Sequence, residues 1–298
     1  MKLGLVRFYH PDDGTRIGVQ QENTIYDITE SNPSIEIWLQ SSVHRVQDLI
    51  SDLEAAIEKS HISYQTHELD NHPSSDALHW LAPVDQQEVW ASGVTYERSR
   101  EARQVEAVDG GDVYARVYSA QRPELFMKAA GWRVIGHLGE VGIRHDATWS
   151  VPEPELALVL NPALEVVGFT IGNDMSSRDI EGENPLYLPQ AKMYTASCSL
   201  GAQITLQPID MFPETSIHLK IIRNNSIEFT GSIETARIHR KMSDLIDYLG
   251  RVYEFPSGVI LLTGTGLVPE DNFTLEEGDV IEIKIEGFGK LINTVKVV

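Results

Sequence analysis

Three carboxylates stand at spacings that could bring them onto one surface. Glu153 and Glu155 lie two apart in Val151-Pro-Glu-Pro-Glu-Leu-Ala-Leu-Val-Leu160, and Asp174 ends the run Glu165-Val-Val-Gly-Phe-Thr-Ile-Gly-Asn-Asp174. Side chains two apart in a strand share a face. The two runs read as a hairpin joined by the four-residue loop Asn161-Pro-Ala-Leu164. With Leu160 opposite Glu165, residue 153 falls across from 172 and 151 across from 174, so Asp174 projects to the same face as both glutamates. A slip of one residue would reverse that face, so the convergence depends on register. Three carboxylates on one face repel one another and require a cation. An all-oxygen set suits Mg²⁺ first, with Mn²⁺ or Ca²⁺ as alternatives. Zn²⁺ would recruit His or Cys, and the ten histidines show no ligand spacing beside a single cysteine, Cys198. Three protein ligands on an octahedral ion leave positions for substrate and water. Alternatively, an E-x-E pair simply faces solvent on an edge strand, as charged residues mostly do. The apolar neighbours Leu156, Leu158, Leu160, Val166, Val167 and Phe169 favour a core sheet instead.

A sheet must hold these residues, and the chain from Leu81 onward supplies its strands. They are predicted at Glu88–Val94, Glu155–Leu160, Val166–Asn173, Ser216–Arg223, Gly258–Thr263 and Val280–Ile285. Helices are fewer. One is expected over Arg98–Ala107 and one over Ala236–Leu249, where Ile238, Met242, Leu245, Ile246 and Leu249 form one face. The first 60 residues read as a small α+β unit with strands at Lys2–Tyr9, Thr15–Gln20 and Thr24–Ile28. Its helix, Val46–Ser60, carries an apolar stripe of Val46, Leu49, Ile50, Leu53 and Ile57. The polar stretch His61–Asp76 reads as a linker. The expected class is α+β and rich in β, with a small N-terminal domain over residues 1–75 and a catalytic domain over 76–298. Few helices and no βα alternation argue against dinucleotide-binding and TIM-barrel topologies.

Composition narrows the function. Of 298 residues, 24 are Lys or Arg and 44 are Asp or Glu, a formal charge of −20 that repels nucleic acid and anionic lipid. No apolar run reaches the length of a membrane span, about 18 residues. The start, MKLGLVRFYHPDDGT, has neither the apolar stretch nor the cleavage site of a signal peptide. A cytoplasmic protein without nucleic-acid or membrane partners is expected. Motifs for phosphate loops, nucleophile elbows and zinc helices are absent from the sequence.

Further motifs surround the carboxylates. They are Pro152-Glu-Pro-Glu-Leu-Ala157, Gly168-Phe-Thr170, Asn173-Asp-Met-Ser-Ser-Arg178-Asp179 and Gln190-Ala-Lys192. Two more follow: Gly258-Val-Ile-Leu-Leu-Thr-Gly-Thr265, and Gly278-Asp-Val-Ile-Glu282 with Gly289-Lys-Leu-Ile-Asn293. Together, over roughly residues 81–298, they resemble the fumarylacetoacetate hydrolase superfamily. The resemblance implies a mixed β-roll catalytic domain, a divalent metal and 2-oxo-acid chemistry. It assigns Glu153, Glu155 and Asp174 as metal ligands, Lys192 as a lysine near metal-bound substrate, Arg178 as the motif arginine, and Thr265 as a hydroxyl touching substrate or the groups just behind it. The hydrolase branch carries a water-activating His in "NY..H..E". Here the segment is Gly93-Val-Thr-Tyr96-Glu-Arg-Ser99, with Ser99 in that place. Ala91–Glu97, Arg122–Lys128 and Glu183–Gln190 resemble instead the superfamily's 2-keto-3-deoxy sugar-acid dehydratases.

That resemblance implies loss of a proton from C3, departure of the C4 hydroxyl as water, and a dioxo acid as product. Lys192 and Glu124 are the candidates for moving protons. Lys192 also reads as a counter-ion to the carboxylates, and Glu124 as a solvent-facing carboxylate or a partner of Lys128. Arg178 could clamp a substrate carboxylate or pair locally. Ser92, beside Gly93, could present backbone N–H groups to the substrate. Two rivals stand beside dehydration: hydrolysis of an acylpyruvate or diketo acid, with Glu97 or Glu101 as base, and a non-catalytic binding module. A small-molecule sugar acid and further copies of the chain, as a dimer or tetramer, are the expected partners.

Overall fold

A computed structural model describes residues 2–97, 111–207 and 212–298. The predicted helix Arg98–Ala107, with Ser99 and Glu101, lies outside them. The chain opens with β1 (Gly4–His10), β2 (Gly14–Gln21), β3 (Thr24–Asp27), α1 (Ile35–Ser41) and α2 (Leu49–Lys59). β4 (Ser63–Gln65), β5 (His79–Leu81), β6 (Glu88–Gly93), α3 (Gly111–Ser119) and β7 (Glu124–Ala130) follow. Next are β8 (Glu140–Ile143), β9 (Ser150–Val151), β10 (Pro154–Leu160), β11 (Val166–Asp174) and β12 (Ser176–Ser177). Two short helices, α4 (Arg178–Glu183) and α5 (Leu188–Lys192), precede β13 (Cys198–Leu200) and β14 (Gln203–Thr205). The chain closes with β15 (Ser216–Arg223), β16 (Ser226–Glu234), α6 (Met242–Gly250), β17 (Val259–Leu262), β18 (Val280–Ile285) and β19 (Gly289–Val297).

One 12-stranded sheet runs β4-β3-β2-β1-β14-β11-β10-β17-β6-β7, with β13 on β11 and β5 on β1. A five-stranded sheet, β16-β15-β18-β19-β8, stacks on it. β10 shows why its sequence is an unbroken apolar run. Leu156, Leu158 and Leu160 face a core shared with Ile217, Leu219 and Ile221 of the second sheet. Ala157 and Val159 face the opposite core, against Trp38, Leu39 and Leu53 of the N-terminal helices. A strand buried on both faces loses the polar alternation of a half-solvated one.

Three expectations need correction. The hairpin register is Glu155 with Gly172 and Pro154 with Asn173, two residues from the alignment read in the sequence. The turn closes inside Asn161 and Glu165, with Leu164 at φ 60, and a bulge follows between Val159 and Leu160. Each device shifts the ladder by one, and an even total keeps every side chain on its expected face. Residues 61–76 are packed rather than a free linker: β4 pairs with β3, Leu69 is buried, and Trp80 Nε1 donates to Asp70 Oδ1 at 3.0 Å. β1 pairs with β14, so the N-terminal strands extend the same sheet. The last helix begins at Met242, not Ala236. Ile238 bridges to Tyr96, His239 N donates to Thr95 O at 2.9 Å, and Arg240 Nη2 to Val117 O at 2.6 Å. These tertiary bonds outcompete a helical turn there. No helix among the described residues is long and apolar enough to cross a membrane.

A buried histidine gives the fold a pH limit. His137 Nδ1 accepts from Ile292 N at 3.0 Å, and burial lowers its pKa to about 4, with Lys290 adding to the effect. The unfolded chain therefore takes up this proton first, below about pH 6.5. Stability from this group is complete above that pH and is lost as pH falls toward 4. Chemical denaturation at pH 7 and pH 4 should show His137→Asn losing about 3 kcal/mol less than wild type across that window. Equal losses would show that His137 is not the group responsible.

Candidate active site

Glu153, Glu155 and Asp174 converge at the ends of β10 and β11. One oxygen of each lies within 4.8 Å of the others, and all three are buried. Eight of the residues singled out in the sequence line one cleft of about 510 Å³: Ser92, Glu124, Glu153, Glu155, Asp174, Arg178, Lys192 and Thr265. Val94, Phe126 and Val268 supply apolar wall.

The carboxylates are held by identifiable partners. Lys192 Nζ bridges Glu153 Oε2 at 2.7 Å and Asp174 Oδ2 at 3.1 Å. Arg178 Nη2 donates to Glu153 Oε1 at 3.0 Å rather than pairing with the adjacent Asp179, which instead accepts from Thr148. The Gly264 N–H donates to Glu155 Oε2 at 2.5 Å. That glycine has φ 89, and a Cβ there would collide with Thr95 Oγ1 and Ser92 O. The Gly-Thr-Gly turn thus aims a backbone dipole at a metal-ligand candidate. Thr265 Oγ1 exchanges bonds of 3.2 Å with the Leu267 backbone, and Ser92 Oγ donates to Leu262 O at 2.8 Å.

Glu124 comes to the cleft from β7, opposite Gly93 in the β6–β7 ladder. A Cβ at position 93 would land on the Glu124 carboxylate, so the missing side chain is the notch in which that carboxylate lies. Glu97, the described alternative base for hydrolysis, is exposed and does not line the cleft.

Three residues of the site were not found from the sequence. Gly264 is one. Glu181 follows Arg178 by three in α4, a spacing that shares a helix face, and accepts from Ser176 Oγ at 2.9 Å. Lys128 is the third. Its Nζ lies 2.6 Å from Asp174 Oδ1, and the side chain is fully buried. A lysine inside the apolar strand Leu-Phe-Met-Lys-Ala-Ala was the available signal.

The donor set fits a divalent ion. The groups that converge, Glu153, Glu155 and Asp174, offer oxygen donors only. Hard oxygen donors suit Mg²⁺. Burial, with Asp174 and Glu153 close by, pushes the Glu155 carboxyl well above the usual carboxylate range. Two predictions follow from this geometry. Mg²⁺ binding should expel a proton from Glu155, so affinity should fall as pH falls. Calorimetry in buffers of different ionisation enthalpy should detect that release, and Glu155→Gln should abolish it. Gly93→Ala should displace Glu124 and cut kcat by about 100-fold with Mg²⁺ affinity unchanged; an unaltered kcat would remove Glu124 from the machinery.

The site can be set beside known proteins. The model of the fumarylacetoacetate (FAA) hydrolase C-terminal domain matches residues 88–296. A probable 2-keto-3-deoxyxylonate dehydratase of Haloferax volcanii is 39% identical over 289 residues, 95% of this chain and 96% of that one. The 2-dehydro-3-deoxy-D-arabinonate dehydratase of Saccharolobus solfataricus is 44% identical over 218 residues, 72% of this chain and 73% of that one. A solved 2-keto-3-deoxy-D-arabinonate dehydratase complexed with magnesium and 2,5-dioxopentanoate is 33% identical. It superposes with a TM-score of 0.81 over 100% of this chain and 99% of its own. The expected mixed-sheet architecture is shared with these relatives and, at 22% identity and a TM-score of 0.70, with a fumarylacetoacetate hydrolase from Exiguobacterium antarcticum. The chain belongs to the fumarylacetoacetate hydrolase family.

Proposed function

We propose that this protein is a Mg²⁺-dependent hydro-lyase that converts 2-keto-3-deoxy-D-arabinonate to 2,5-dioxopentanoate. The observation that carries it is the end-to-end likeness to a dehydratase solved with magnesium and 2,5-dioxopentanoate, in a chain whose cleft holds a buried carboxylate triad. The names of the two sequence relatives agree chemically within the D series. A keto group at C2 and a methylene at C3 erase the centres that distinguish D-xylonate from D-arabinonate, so both give one 2-keto-3-deoxy acid.

Bound Mg²⁺ supplies the positive charge that draws the acid's carboxylate and keto oxygens to Glu153, Glu155 and Asp174 and acidifies the C3 proton. Lys192 takes that proton. Glu124 returns one to the C4 hydroxyl, which leaves as water. A proton shift from C5 to C3 turns the unsaturated acid into a C4–C5 enol, and a second shift from the C5 hydroxyl to C4 gives the 2,5-dioxo product. Arg178 and the Ser92–Gly93 backbone orient the substrate carboxylate, and Thr265 touches the substrate beside Glu155. Phe126, Val94 and Val268 keep bulk water from the proton transfers. A cytoplasmic, homo-oligomeric enzyme with a small-molecule substrate and no nucleic-acid or membrane partner completes the proposal.

Incubation with 2-keto-3-deoxy-D-arabinonate should yield 2,5-dioxopentanoate, with EDTA abolishing the product and Mg²⁺ restoring it. Lys192→Ala should lower kcat by about 100- to 10,000-fold. Pyruvate and glycolaldehyde instead would mean cleavage of a carbon–carbon bond and would overturn the dehydratase.

A further inference from the structure

Lys128 is among the largest fully buried side chains of the protein, at 1% exposure. It does not line the cleft; it stands behind the carboxylates. Its ammonium meets three oxygens, two through hydrogen bonds and one through an ion pair. Asp174 Oδ1 lies 2.6 Å away and Met175 O 2.8 Å away, while the third, Lys192 O, is closer still. Two of these belong to the end of β11, where a metal-ligand candidate sits. The third is the backbone carbonyl of Lys192 itself.

The position of Lys192 needs this help. α5 is five residues long, far below the length at which a helix holds its own shape. Lys192 ends it, and the following Met193 is already non-helical at φ −114, ψ 67. A terminal carbonyl of that kind lacks an intrahelical partner. Lys128 Nζ supplies one, and Ser197 Oγ supplies a second at 2.8 Å. A cation at a helix C-terminus also sits at the negative end of the helix dipole.

We propose that Lys128 is a positioning residue for the reaction. By joining Asp174, Met175 and the Lys192 carbonyl at one nitrogen, it sets the distance between the metal-ligand strand and the backbone from which the proton-moving side chain departs. The inference rests on Lys192 being the group that takes the C3 proton. Lys128 touches no substrate. It acts through where Lys192 begins, so its loss should show in turnover rather than in binding.

The experiment uses the full chain with saturating Mg²⁺ and 2-keto-3-deoxy-D-arabinonate. Lys128→Met keeps the length and removes the charge. We expect kcat to fall about 100-fold, the size of loss associated with misplacing a reacting group by about 1 Å, with KM changed little. Lys128→Arg keeps the charge but cannot place one nitrogen on three oxygens, and Ser197→Ala removes the other bond to the same carbonyl. Both should lower kcat with KM and Mg²⁺ affinity retained, and both test the idea if Lys128→Met fails to fold. Two results would overturn it: full kcat in the folded variants, or a kcat loss matched by an equal loss of Mg²⁺ affinity, which would make Lys128 a support of Asp174 alone. Lys192→Ala is measured alongside. If it keeps wild-type turnover, the assignment of Lys192 fails first, and that failure is distinct from one confined to Lys128.

Discussion

Glu153, Glu155 and Asp174 are buried within 4.8 Å of one another, and their mutual repulsion is what the surrounding structure answers. At that separation each ionised pair costs about 3 kcal/mol with an effective dielectric near 20. Lys192 lies between two of them, Arg178 takes the outer oxygen of Glu153, Lys128 backs Asp174, and a backbone N–H is turned onto Glu155. The oxygens that converge there are a donor set suited to a hard divalent ion.

Such a cluster survives only on a frame that cannot yield. β10 provides it, being packed on both faces between the N-terminal helices and the second sheet. Sliding by one residue would carry Leu156 and Leu158 out of one core and drive the glutamates into it. The sheet must also curl. β7 is four strands from β11, roughly 19 Å away in a flat sheet at normal strand spacing, yet Lys128 of β7 touches Asp174 of β11. That curvature gathers β6, β7, β10, β11 and the end of β17 around one cleft.

Features that depend on side-chain parity were legible before any coordinates. Glu153, Glu155 and Asp174 share a face in any register that differs by an even number, so an error of two left the triad intact. Motif residues such as Lys192 and Thr265 were legible through resemblance. What could not be read were contacts between elements distant in sequence. Lys128 and Asp174 are separated by 46 positions and three intervening strands, and no local pattern marks their meeting. Residues 61–76 are polar enough to pass for a linker, yet Leu69 and Asp70 earn their order from Trp80 and the N-terminal sheet. The helical periodicity over Ala236–Leu249 is real, but its first turn is surrendered to bonds with Thr95 and Val117.

The three basic side chains differ in how they are held, and that difference bears on the proposed chemistry. Arg178 is held against Glu153 by its donor to Oε1. Lys128 is held by two hydrogen bonds to buried carbonyls and an ion pair with Asp174, and it does not line the cleft. Lys192 alone among the described lysines both lines the cleft and touches the carboxylates. In the proposed reaction Lys192 enters uncharged, so the proton it would take from an acid carbon adds positive charge beside an acidic cluster as negative charge develops on the substrate. The fixed charges of Lys128 and Arg178 hold the triad in place through that exchange, so the geometry that suits the ground state also suits the transition state.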